Sequence, residues 1–343
     1  MATITSDEKI STPFTPRLMQ FMLGFQATQV ANTLLRLGVD DILSRGSHPV
    51  SEIAKAVDAS ADGLVRLLRG AAALDLVRET EQEHFELTAF GAELHANRDM
   101  AAFLGDPAMY LVNSRMSDAV RSGRPVARDV LGVDMWEYLS KHPEEQATFD
   151  RAMTTGTEQM TEEVVRIYNP SRFHRIVDVG GGQGATLAGL LQAAPQASGI
   201  LFDQPQVIKG AADTFAAKGL SDRVELVGGS FLESVPTGGD LYVIKGVIHN
   251  WDDEGAGLIL RRCAEAAPAG ATLLIVETVL PDGLEPSFLH LMDLLMMVGL
   301  GGRERTVEHH RALLRGAGWK LEGVTNTPVP VMPFALLEAH KIR

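Results

Sequence analysis

The chain begins its regular pattern with apolar residues at helical spacing. Across residues 16–37 the apolar positions, among them Leu18, Met22 and Phe25, recur every three or four residues. This spacing puts apolar side chains on one face and predicts a long amphipathic helix. Gly38 follows directly and supplies the left-handed residue at which helices commonly end.

The next segment alternates short helical and strand-like patterns. A short helix is predicted from Ser51, then a turn at residues 58–60 and a second helix through Leu64. Two strand-like pieces follow around Val77 and Phe85. This order of elements resembles a winged helix-turn-helix unit.

The charge of this unit argues against DNA binding. Residues 39–94 carry five basic and eleven acidic side chains, a net charge of about −6, which would repel phosphates. Its apolar helix faces can contact a second subunit instead, although they could also simply pad one domain. We expect residues 1–100 to form a mostly helical, winged-helix-like dimerisation domain.

The middle of the chain is a series of helical patterns joined by loops. Helices are predicted at residues 100–120, 135–140 and 143–168. The last helix ends at Asn169, because the following Pro170 disfavours helical backbone in the residue before it. We therefore treat residues 101–170 as a helical connector and place a domain boundary after it.

After this boundary, short apolar runs alternate with amphipathic segments. Strands separated by helices indicate parallel pairing with right-handed crossovers, the pattern of an α/β fold. Residues 171–343 are therefore expected to form a wound α/β domain, whose ligands bind at the carboxyl ends of its strands. The strands are predicted at residues 175–179, 199–202, 224–227, 241–244 and 272–276.

A glycine-rich loop follows the first of these strands, in the stretch IVDVGGGQGATL at residues 176–187. Asp178 closes the strand, and glycines such as Gly180 and Gly182 allow the backbone to approach a ligand at a helix N-terminus. Asp203 ends the second strand, where an acid can bind ribose hydroxyls. The alternative is a tight turn without a ligand.

By spacing alone this loop fits either a dinucleotide or S-adenosylmethionine, since both contain a ribose. The chain has no Tyr-x-x-x-Lys pair for hydride chemistry. Asp178 lies two residues before the first glycine, where a carboxylate is unfavourable beside a pyrophosphate. The same carboxylate suits a ligand that carries an ammonium group, which favours S-adenosylmethionine.

The stretch LYVIKGVIHNWDD, residues 241–253, delivers Lys245 and then His249 from the end of a buried strand. Two acids occur where the sheet would bring strand ends together, namely Glu277 in LLIVETVLP and Glu308 in GGRERTVEHH. A carboxylate bonded to one imidazole nitrogen fixes the tautomer and leaves the other nitrogen free as a base.

These segments together resemble one family, the S-adenosylmethionine-dependent small-molecule O-methyltransferases, typified by plant caffeate and flavonoid enzymes and bacterial antibiotic-tailoring enzymes. The resemblance covers nearly the whole chain. It implies an α/β, Rossmann-like class I methyltransferase domain at residues 171–343, preceded by a dimerisation domain, with the connector contributing to the substrate pocket. Its motifs are VDVGGGQG, FDQP, KGVIHNWDD, IVETVLP and GGRERTVEHHRALLRGAGW.

The resemblance also implies how S-adenosylmethionine is bound, with S-adenosylhomocysteine as the product. Gly180 and Gly182 would lie along the methionine moiety and Asp203 would accept both ribose hydroxyls. Ser230 departs from the family, whose members commonly have an aspartate there for the adenine amino group. The full set of implied cofactor-binding residues is Asp178, Gly180, Gly182, Asp203, Gln204, Ser230, Phe231 (over the adenine) and Lys245 (near the amino-acid end).

For catalysis the resemblance implies that His249 is the general base for in-line methyl transfer, oriented by Glu277 and Glu308. No metal is expected, because the adjacent acids Asp252 and Asp253 at a helix start are interpreted as caps.

The acceptor is expected to be a hydroxyl of a small aromatic or polyketide-type natural product, which points to secondary metabolism and antibiotic biosynthesis. A methionine-rich stretch at residues 287–302 could pack against an aromatic acceptor, although an ordinary core helix is the default interpretation. The substrate candidates are Phe149, Met153, Met292, Asp293 and Met296.

Three alternative functions follow from the same residues. A family member can bind S-adenosylmethionine but catalyse a hydroxylation or a pericyclic step, against which the retained His249 speaks. A transcriptional regulator would use the N-terminal unit to bind DNA. A nicotinamide oxidoreductase would bind NADH.

The composition restricts which classes of binding partner and which cellular compartment we expect. The net charge of −13 argues against nucleic acid and anionic membranes and favours a small-molecule substrate. Cys263 is the single cysteine, which fits a reducing cytoplasm. The sequence has neither an apolar run of membrane-spanning length nor a signal-peptide pattern, so we expect a cytoplasmic homodimer.

Overall fold

The computed structural model describes residues 15–283, 285–327 and 333–342, without the side chains of residues 155, 156, 158 and 159. The chain divides into two compact units, Met1–Pro107 and Ala108–Arg343. In the described ranges, no helix has both the length and the apolar character that a bilayer crossing requires.

The first unit is mostly helical and contains a small antiparallel sheet with the strand order β1-β3-β2. A turn at Asp58, which has a φ of +50°, separates the two helices of the helix-turn-helix pattern. The elements are α1 (Pro16–Met22), α2 (Gly24–Leu37), α3 (Val39–Leu43), β1 (His48–Pro49), α4 (Val50–Ala56), α5 (Ala61–Ala73), β2 (Val77–Glu81), β3 (His84–Leu87), α6 (Ala89–Ala96) and α7 (Arg98–Leu104).

The winged helix-turn-helix pattern is confirmed, and the long first helix is shorter than expected. It breaks at Leu23, whose ψ of 10° is not helical, and α2 ends at Gly38 in the left-handed conformation. The buried faces of α2, α4 and α5 form the core of this unit with Phe85 of the hairpin. Helix α1 has no buried residue, so its apolar side chains stay exposed in this chain.

The second unit starts with a helical segment and continues into the wound sheet. Helix α12 agrees with the predicted 143–168 helix to within one residue. The helices of the segment are α8 (Pro107–Asn113), α9 (Met116–Ser122), α10 (Ala127–Leu131), α11 (Met135–Lys141) and α12 (Pro143–Ile167).

The sheet of the second unit has the strand order β10-β11-β8-β7-β4-β5-β6, with β9 paired to β8. Strands β4 to β8 run parallel, whereas β10 and β11 add an antiparallel edge. The elements are β4 (Arg175–Val179), α13 (Ala185–Ala193), β5 (Ser198–Asp203), α14 (Ala211–Ala217), β6 (Val224–Gly228), β7 (Leu241–Lys245), α15 (Asp253–Ala266), β8 (Thr272–Leu280), α16 (Leu289–Gly299), β9 (Arg305–Thr306), α17 (Val307–Gly316), β10 (Trp319–Asn326) and β11 (Phe334–Lys341).

Helices cover both faces of this sheet, and each face has its own apolar core. Ile176 and Leu187 belong to one core, and Tyr242 and Ile259 to the other. Strand order reverses between β4 and β7, because β5 and β6 continue on one side of β4 while β7 and β8 lie on the other. Ligands of wound sheets bind at such a reversal.

Candidate active site

Four predicted residues lie at or near the carboxyl ends of neighbouring parallel strands. Asp178 is near the end of β4, Asp203 ends β5, Lys245 ends β7, and Glu277 lies within β8. Since these strands are paired side by side, the structure brings the four side chains to one edge of the sheet, at the reversal of strand order.

The backbone of the glycine loop after β4 adopts conformations that would be strained for residues with a side chain. Gly180, Gly182 and Gly184 have φ values of +71°, +60° and +83°, a region in which glycine carries no steric cost. A Cβ at Gly184 would lie 2.4 Å from the Phe215 ring, whereas a Cβ at Gly182 would have no atom within 4 Å. The loop therefore packs on one side and leaves open space at Gly182.

Asp203 is partly buried and braces this loop. Its Oδ2 accepts a hydrogen bond from the Gly182 N–H at 2.9 Å, and its Oδ1 accepts one from the Gln204 N–H at 2.7 Å. Burial raises the pKa of Asp203, and these two N–H groups oppose the rise. A carboxylate offers about four acceptor positions, so both oxygens can still accept ligand hydroxyls.

Asp178 is fully buried, and its Oδ2 has no hydrogen-bond partner among the described residues. Burial raises the pKa of Asp178 to about 7, against the opposing charge of Lys245. Burial likewise lowers the pKa of Lys245, whose Nζ donates to Thr157 Oγ1 of α12 at 3.0 Å. Asp178 and Lys245 are thus a buried acid and a largely buried cation near the glycine loop, each of which acts on the pKa of the other.

The residues expected around the adenine lie beside the same loop. Phe231 is half-buried, with its ring edge-on to Trp251 at 6.0 Å, and a Cβ at Gly180 would lie 3.5 Å from it. The Ser230 Oγ accepts from the Leu232 N–H at 3.3 Å. The Gln204 side chain is exposed and accepts a hydrogen bond from Gln206.

His249 is carried by a short 3-10 turn, Ile248–Asn250, that follows β7. The buried Glu277 holds this turn through the backbone, since its Oε1 accepts from the N–H groups of Val247 and His249, each at 3.1 Å. Burial raises the pKa of Glu277. Glu277 therefore contacts the turn that carries His249 through backbone N–H groups.

The acid that contacts the imidazole is Glu304. Its Oε1 lies 2.9 Å from His249 Nδ1, and its side chain is 3% exposed. The expectation that Glu308 has this role is wrong: Glu308 lies in the first turn of α17, is 72% exposed, and accepts from Arg311 at 3.1 Å. The short strand β9 begins directly after Glu304, and the helix that follows turns Glu308 towards solvent.

The contact with Glu304 assigns the imidazole protons. An ionised carboxylate only accepts hydrogen bonds, so Nδ1 donates to Glu304, and in the neutral imidazole the lone pair is then on Nε2. Nε2 has no hydrogen-bond partner in the described parts of the chain, and a Cβ at Gly246 would lie 4.0 Å from it. Burial lowers the pKa of His249, but the hydrogen bond to Glu304 and the charges of Glu277 and Glu304 outweigh it and raise the pKa overall.

Further residues hold Glu304 and His249 together, and no sequence motif had pointed to this role for any of them. Asp293, expected as a substrate contact, accepts from the Glu304 N–H at 2.8 Å with Oδ1. The Arg303 N–H donates to the His249 carbonyl at 2.9 Å. A Cβ at Gly302 would lie 2.0 Å from that carbonyl. The buried Arg305 binds the carbonyls on either side of His249.

The other substrate candidates lie on two helices of the second unit. Met292 and Met296 are half-buried on α16, and Phe149 and Met153 are half-buried on α12. Phe149 meets the Trp136 ring edge-on at 5.8 Å. Whether these four side chains contact one acceptor stays a prediction. Asp252 caps α15 by accepting from the Gly255 N–H at 2.8 Å, as expected.

The residues at the strand ends suit S-adenosylmethionine. Asp203 has acceptor capacity left for two hydroxyls, the space at Gly182 is open, and the unpartnered carboxylate oxygen of Asp178 matches a ligand with an ammonium group. The donor and acceptor set of this structure therefore fits the cofactor that the motifs imply.

Two family models and several relatives match this chain. Residues 19–97 match the model of the O-methyltransferase dimerisation domain, and residues 113–320 match that of the O-methyltransferase domain. The chain is 36% identical to a phenazine O-methyltransferase, PhzM, of Lysobacter antibioticus, over 96% of this chain and 97% of the relative. It is 35% identical to an O-demethylpuromycin-O-methyltransferase of Streptomyces alboniger, over 95% and 89% of the two chains.

A solved structure has the same fold with ligands bound. The O-methyltransferase NcsB1 from neocarzinostatin biosynthesis, in complex with S-adenosylmethionine and 2-hydroxy-5-methyl naphthoic acid, superposes with a TM-score of 0.80 at 32% identity, covering 92% of this chain and 96% of that one. The chain therefore belongs to the S-adenosylmethionine-dependent O-methyltransferases, with a dimerisation domain ahead of a class I methyltransferase domain.

Proposed function

We propose that this enzyme methylates a hydroxyl of a small aromatic or polyketide-type acceptor, with His249 as the general base. One observation carries the assignment of the base. His249 Nδ1 is bonded to the buried Glu304 while Nε2 has no partner in the described residues. That arrangement keeps a proton-accepting nitrogen in a fixed direction.

The cofactor supplies an electrophilic methyl group on a positively charged sulfur. Asp203 would accept the ribose hydroxyls, and the backbone of Gly180 and Gly182 would line the amino-acid portion. Asp178 and Lys245 would compensate the charges of its ammonium and carboxylate groups. Phe231 would cover the adenine, with Ser230 and Gln204 near its edge.

The chain's own residues must make the acceptor hydroxyl nucleophilic. His249 Nε2 takes the hydroxyl proton, and the imidazolium that forms is stabilised by the Glu304 carboxylate 2.9 Å from Nδ1. A general base contributes typically about 10²- to 10⁴-fold to the rate. Glu277 and Glu304 act as positioning residues, because they hold the base through its backbone and its Nδ1.

The acceptor class follows from the relatives and from the helices near the site. The relatives are named as phenazine and O-demethylpuromycin O-methyltransferases, and the related solved structure holds a hydroxynaphthoic acid. Half-buried apolar side chains on α12 and α16 offer a matching surface, namely Phe149, Met153, Met292 and Met296. We therefore place the acceptor against these two helices. A hydroxylation or pericyclic step is not favoured.

The first unit serves as the contact between two copies of the chain. Its match to a dimerisation domain supports this, together with the exposed side chains of α1, where Phe21 is 79% and Met22 58% exposed. The net negative charge of residues 39–94 supports a protein partner over nucleic acid. With a single, buried cysteine, the dimer suits a reducing cytoplasm.

The division of labour along the chain follows from these assignments. Residues 1–100 dimerise, residues 101–170 connect the domains and contribute α12 to the acceptor pocket, and residues 171–343 bind the cofactor and carry the catalytic groups.

The test is methyl transfer from radiolabelled S-adenosylmethionine to hydroxynaphthoic and hydroxyphenazine acceptors, with the wild type and His249→Ala. Turnover should fall at least about 100-fold in the variant, the range for losing a general base. S-adenosylhomocysteine affinity, measured by calorimetry, should stay unchanged. NADH should not bind. Equal turnover by the two proteins would show that His249 is not the base.

A further inference from the structure

We propose that Arg305 is a positioning residue of the catalytic base: its guanidinium fixes the turn that carries His249 against the segment that carries Glu304. The inference rests on the proposed function of His249. It concerns a residue that touches neither the imidazole nor the Glu304 carboxylate in the described contacts.

The first step is the burial of Arg305. Its side chain is 0% exposed, although a guanidinium is charged at any ordinary pH. Removing such a charge from water is expensive unless every donor is paired. The hydrogen-bond acceptors of the buried guanidinium therefore indicate which parts of the chain Arg305 holds in place.

All five N–H donors of the guanidinium have acceptors. Nη1 donates to the Ile248 carbonyl at 3.1 Å and to the Arg303 carbonyl at 3.4 Å. Nη2 donates to the Trp251 carbonyl at 2.8 Å and to Asp253 Oδ1 at 3.0 Å, and Nε donates to the same oxygen at 3.1 Å.

These acceptors bracket the two catalytic partners in the sequence. Ile248 and Trp251 lie on either side of His249, while Arg303 and Arg305 lie on either side of Glu304. One rigid, planar group is thus bonded to both segments, and a second link joins them where the Arg303 N–H donates to the His249 carbonyl at 2.9 Å.

Asp253 anchors the guanidinium at the start of α15. Burial raises the pKa of Asp253, but the hydrogen bonds from Arg305 and His309 outweigh it and hold the pKa below its usual range. On the other side, β9 pairs Arg305 with Val279 of β8. Arg305 therefore ties the base to the sheet and to the following helix at once.

Lysine cannot replace this arrangement. An ammonium has three donors around one point, whereas the guanidinium has five in a fixed plane. Arg305→Lys keeps the charge and loses the planar set of donors, so one of the links that fix the distance between His249 and Glu304 is lost. A misplacement of about 1 Å can cost about 100-fold in rate.

The experiment is a double-mutant cycle of Arg305→Lys and His249→Ala, with Arg311→Lys as the control. Arg311 lies on α17 and is bonded to the surface residue Glu308. We expect Arg305→Lys to lower kcat at least about 10-fold, with the affinity for S-adenosylhomocysteine within twofold of wild type. Arg311→Lys should match wild type. In the His249→Ala background, Arg305→Lys should cause no further loss.

The pH profile gives a second readout that a general loss of folded protein would not move. The groups that act on His249 are Glu304 and Glu277, which raise its pKa, and Lys245, which lowers it. When the contact with Glu304 loosens in Arg305→Lys, the acid limb of the kcat profile should move to lower pH. A uniform decrease at all pH values would contradict the proposal.

Two further outcomes are informative. If Arg305→Lys lowers turnover equally with and without His249, Arg305 acts on the fold as a whole and the proposal fails. If His249→Ala alone retains turnover, the proposed function fails first. Should Arg305→Lys not fold, the isosteric Asp253→Asn, at a 43% exposed side chain, replaces it in the same cycle. It should show a smaller loss of kcat that likewise depends on His249.

Discussion

The imidazole of His249 and the carboxylate of Glu304 lie 2.9 Å apart although 55 residues separate them in the chain. His249 follows β7, and Glu304 immediately precedes β9, which pairs with β8. Because β7 and β8 are neighbours in the sheet, the sheet itself brings this imidazole and this carboxylate together. Their contact is thus a product of strand order.

Glu304→Gln and Glu308→Gln test which acid serves the base. Glu304→Gln removes the charge beside Nδ1 and should lower kcat by about 10- to 100-fold, since a charge-assisted hydrogen bond is worth about 1.5 to 3 kcal/mol. Glu308→Gln should leave kcat unchanged, because its carboxylate is exposed and bonded to Arg311. The measurement is steady-state methyl transfer at saturating cofactor.

The same two variants test the pKa of the His249 imidazole. The pKa can be measured by NMR of the imidazole signals, with His249→Ala to assign the signal of His249. In the wild type the pKa should lie above the ordinary value of about 6.5. Glu304→Gln should bring it down, while Glu308→Gln should not move it. A wild-type value below 6.5 would contradict the role of Glu304.

Asp203→Asn should weaken cofactor binding. The substitution removes a charged acceptor for ligand hydroxyls and disturbs the hydrogen bond from Gly182. Hydrogen bonds to charged groups contribute about 1.5 to 3 kcal/mol, so the Kd for S-adenosylhomocysteine should rise about 10- to 100-fold by calorimetry. Asp213→Asn on the exposed surface of α14 is the control and should bind like wild type.

The stability of the Asp178→Asn variant relative to the wild type should increase as pH rises. The carboxyl pKa is about 7 in the folded chain and about 4 when unfolded. A raised folded pKa gives stability below the unfolded value that is lost as pH rises through the folded value. The Tm of Asp178→Asn minus that of wild type should therefore increase between about pH 4 and 7, without added cofactor. A constant difference would contradict the raised pKa.

Gly302→Ala should displace the base. An added Cβ would lie 2.0 Å from the His249 carbonyl, a distance that forces the backbone to move. We expect kcat to fall at least about 10-fold, because displacing a base by a fraction of an ångström already slows proton transfer. Gly299→Ala is the matched control, because its Cβ would have no atom within 4 Å, and it should keep full activity and an equal or higher Tm.

The sequence was most informative where strands are buried on both faces. The segment around Ile176 and the one around Val243 are continuous apolar runs, and the predicted and observed strands agree within a few residues. The antiparallel strands β10 and β11 were missed. The edge strand β10 mixes polar and apolar positions without a clear period and contains an irregularity between Leu321 and Gly323. For the inner strand β11, which is apolar and largely buried, this reason does not apply.

Glu304 and Glu308 show why the site could be predicted only in part. Both acids stand in GGRERTVEHH, four residues apart, and no spacing rule separates them. What decides is the pairing of Arg305 with Val279 and the start of α17 at Val307, which are properties of the folded sheet. The role of Asp293 depends on the same long-range geometry.

The hydrogen bond from the Glu304 N–H to Asp293 links the helix proposed to contact the acceptor with the acid proposed to orient His249. Asp293 lies on α16 between Met292 and Met296, the side chains proposed to meet the acceptor. If these proposed roles hold, a substitution that shifts the α16 backbone would also displace Glu304 through Asp293. A substitution that changes only side-chain volume on α16 would leave this hydrogen bond in place.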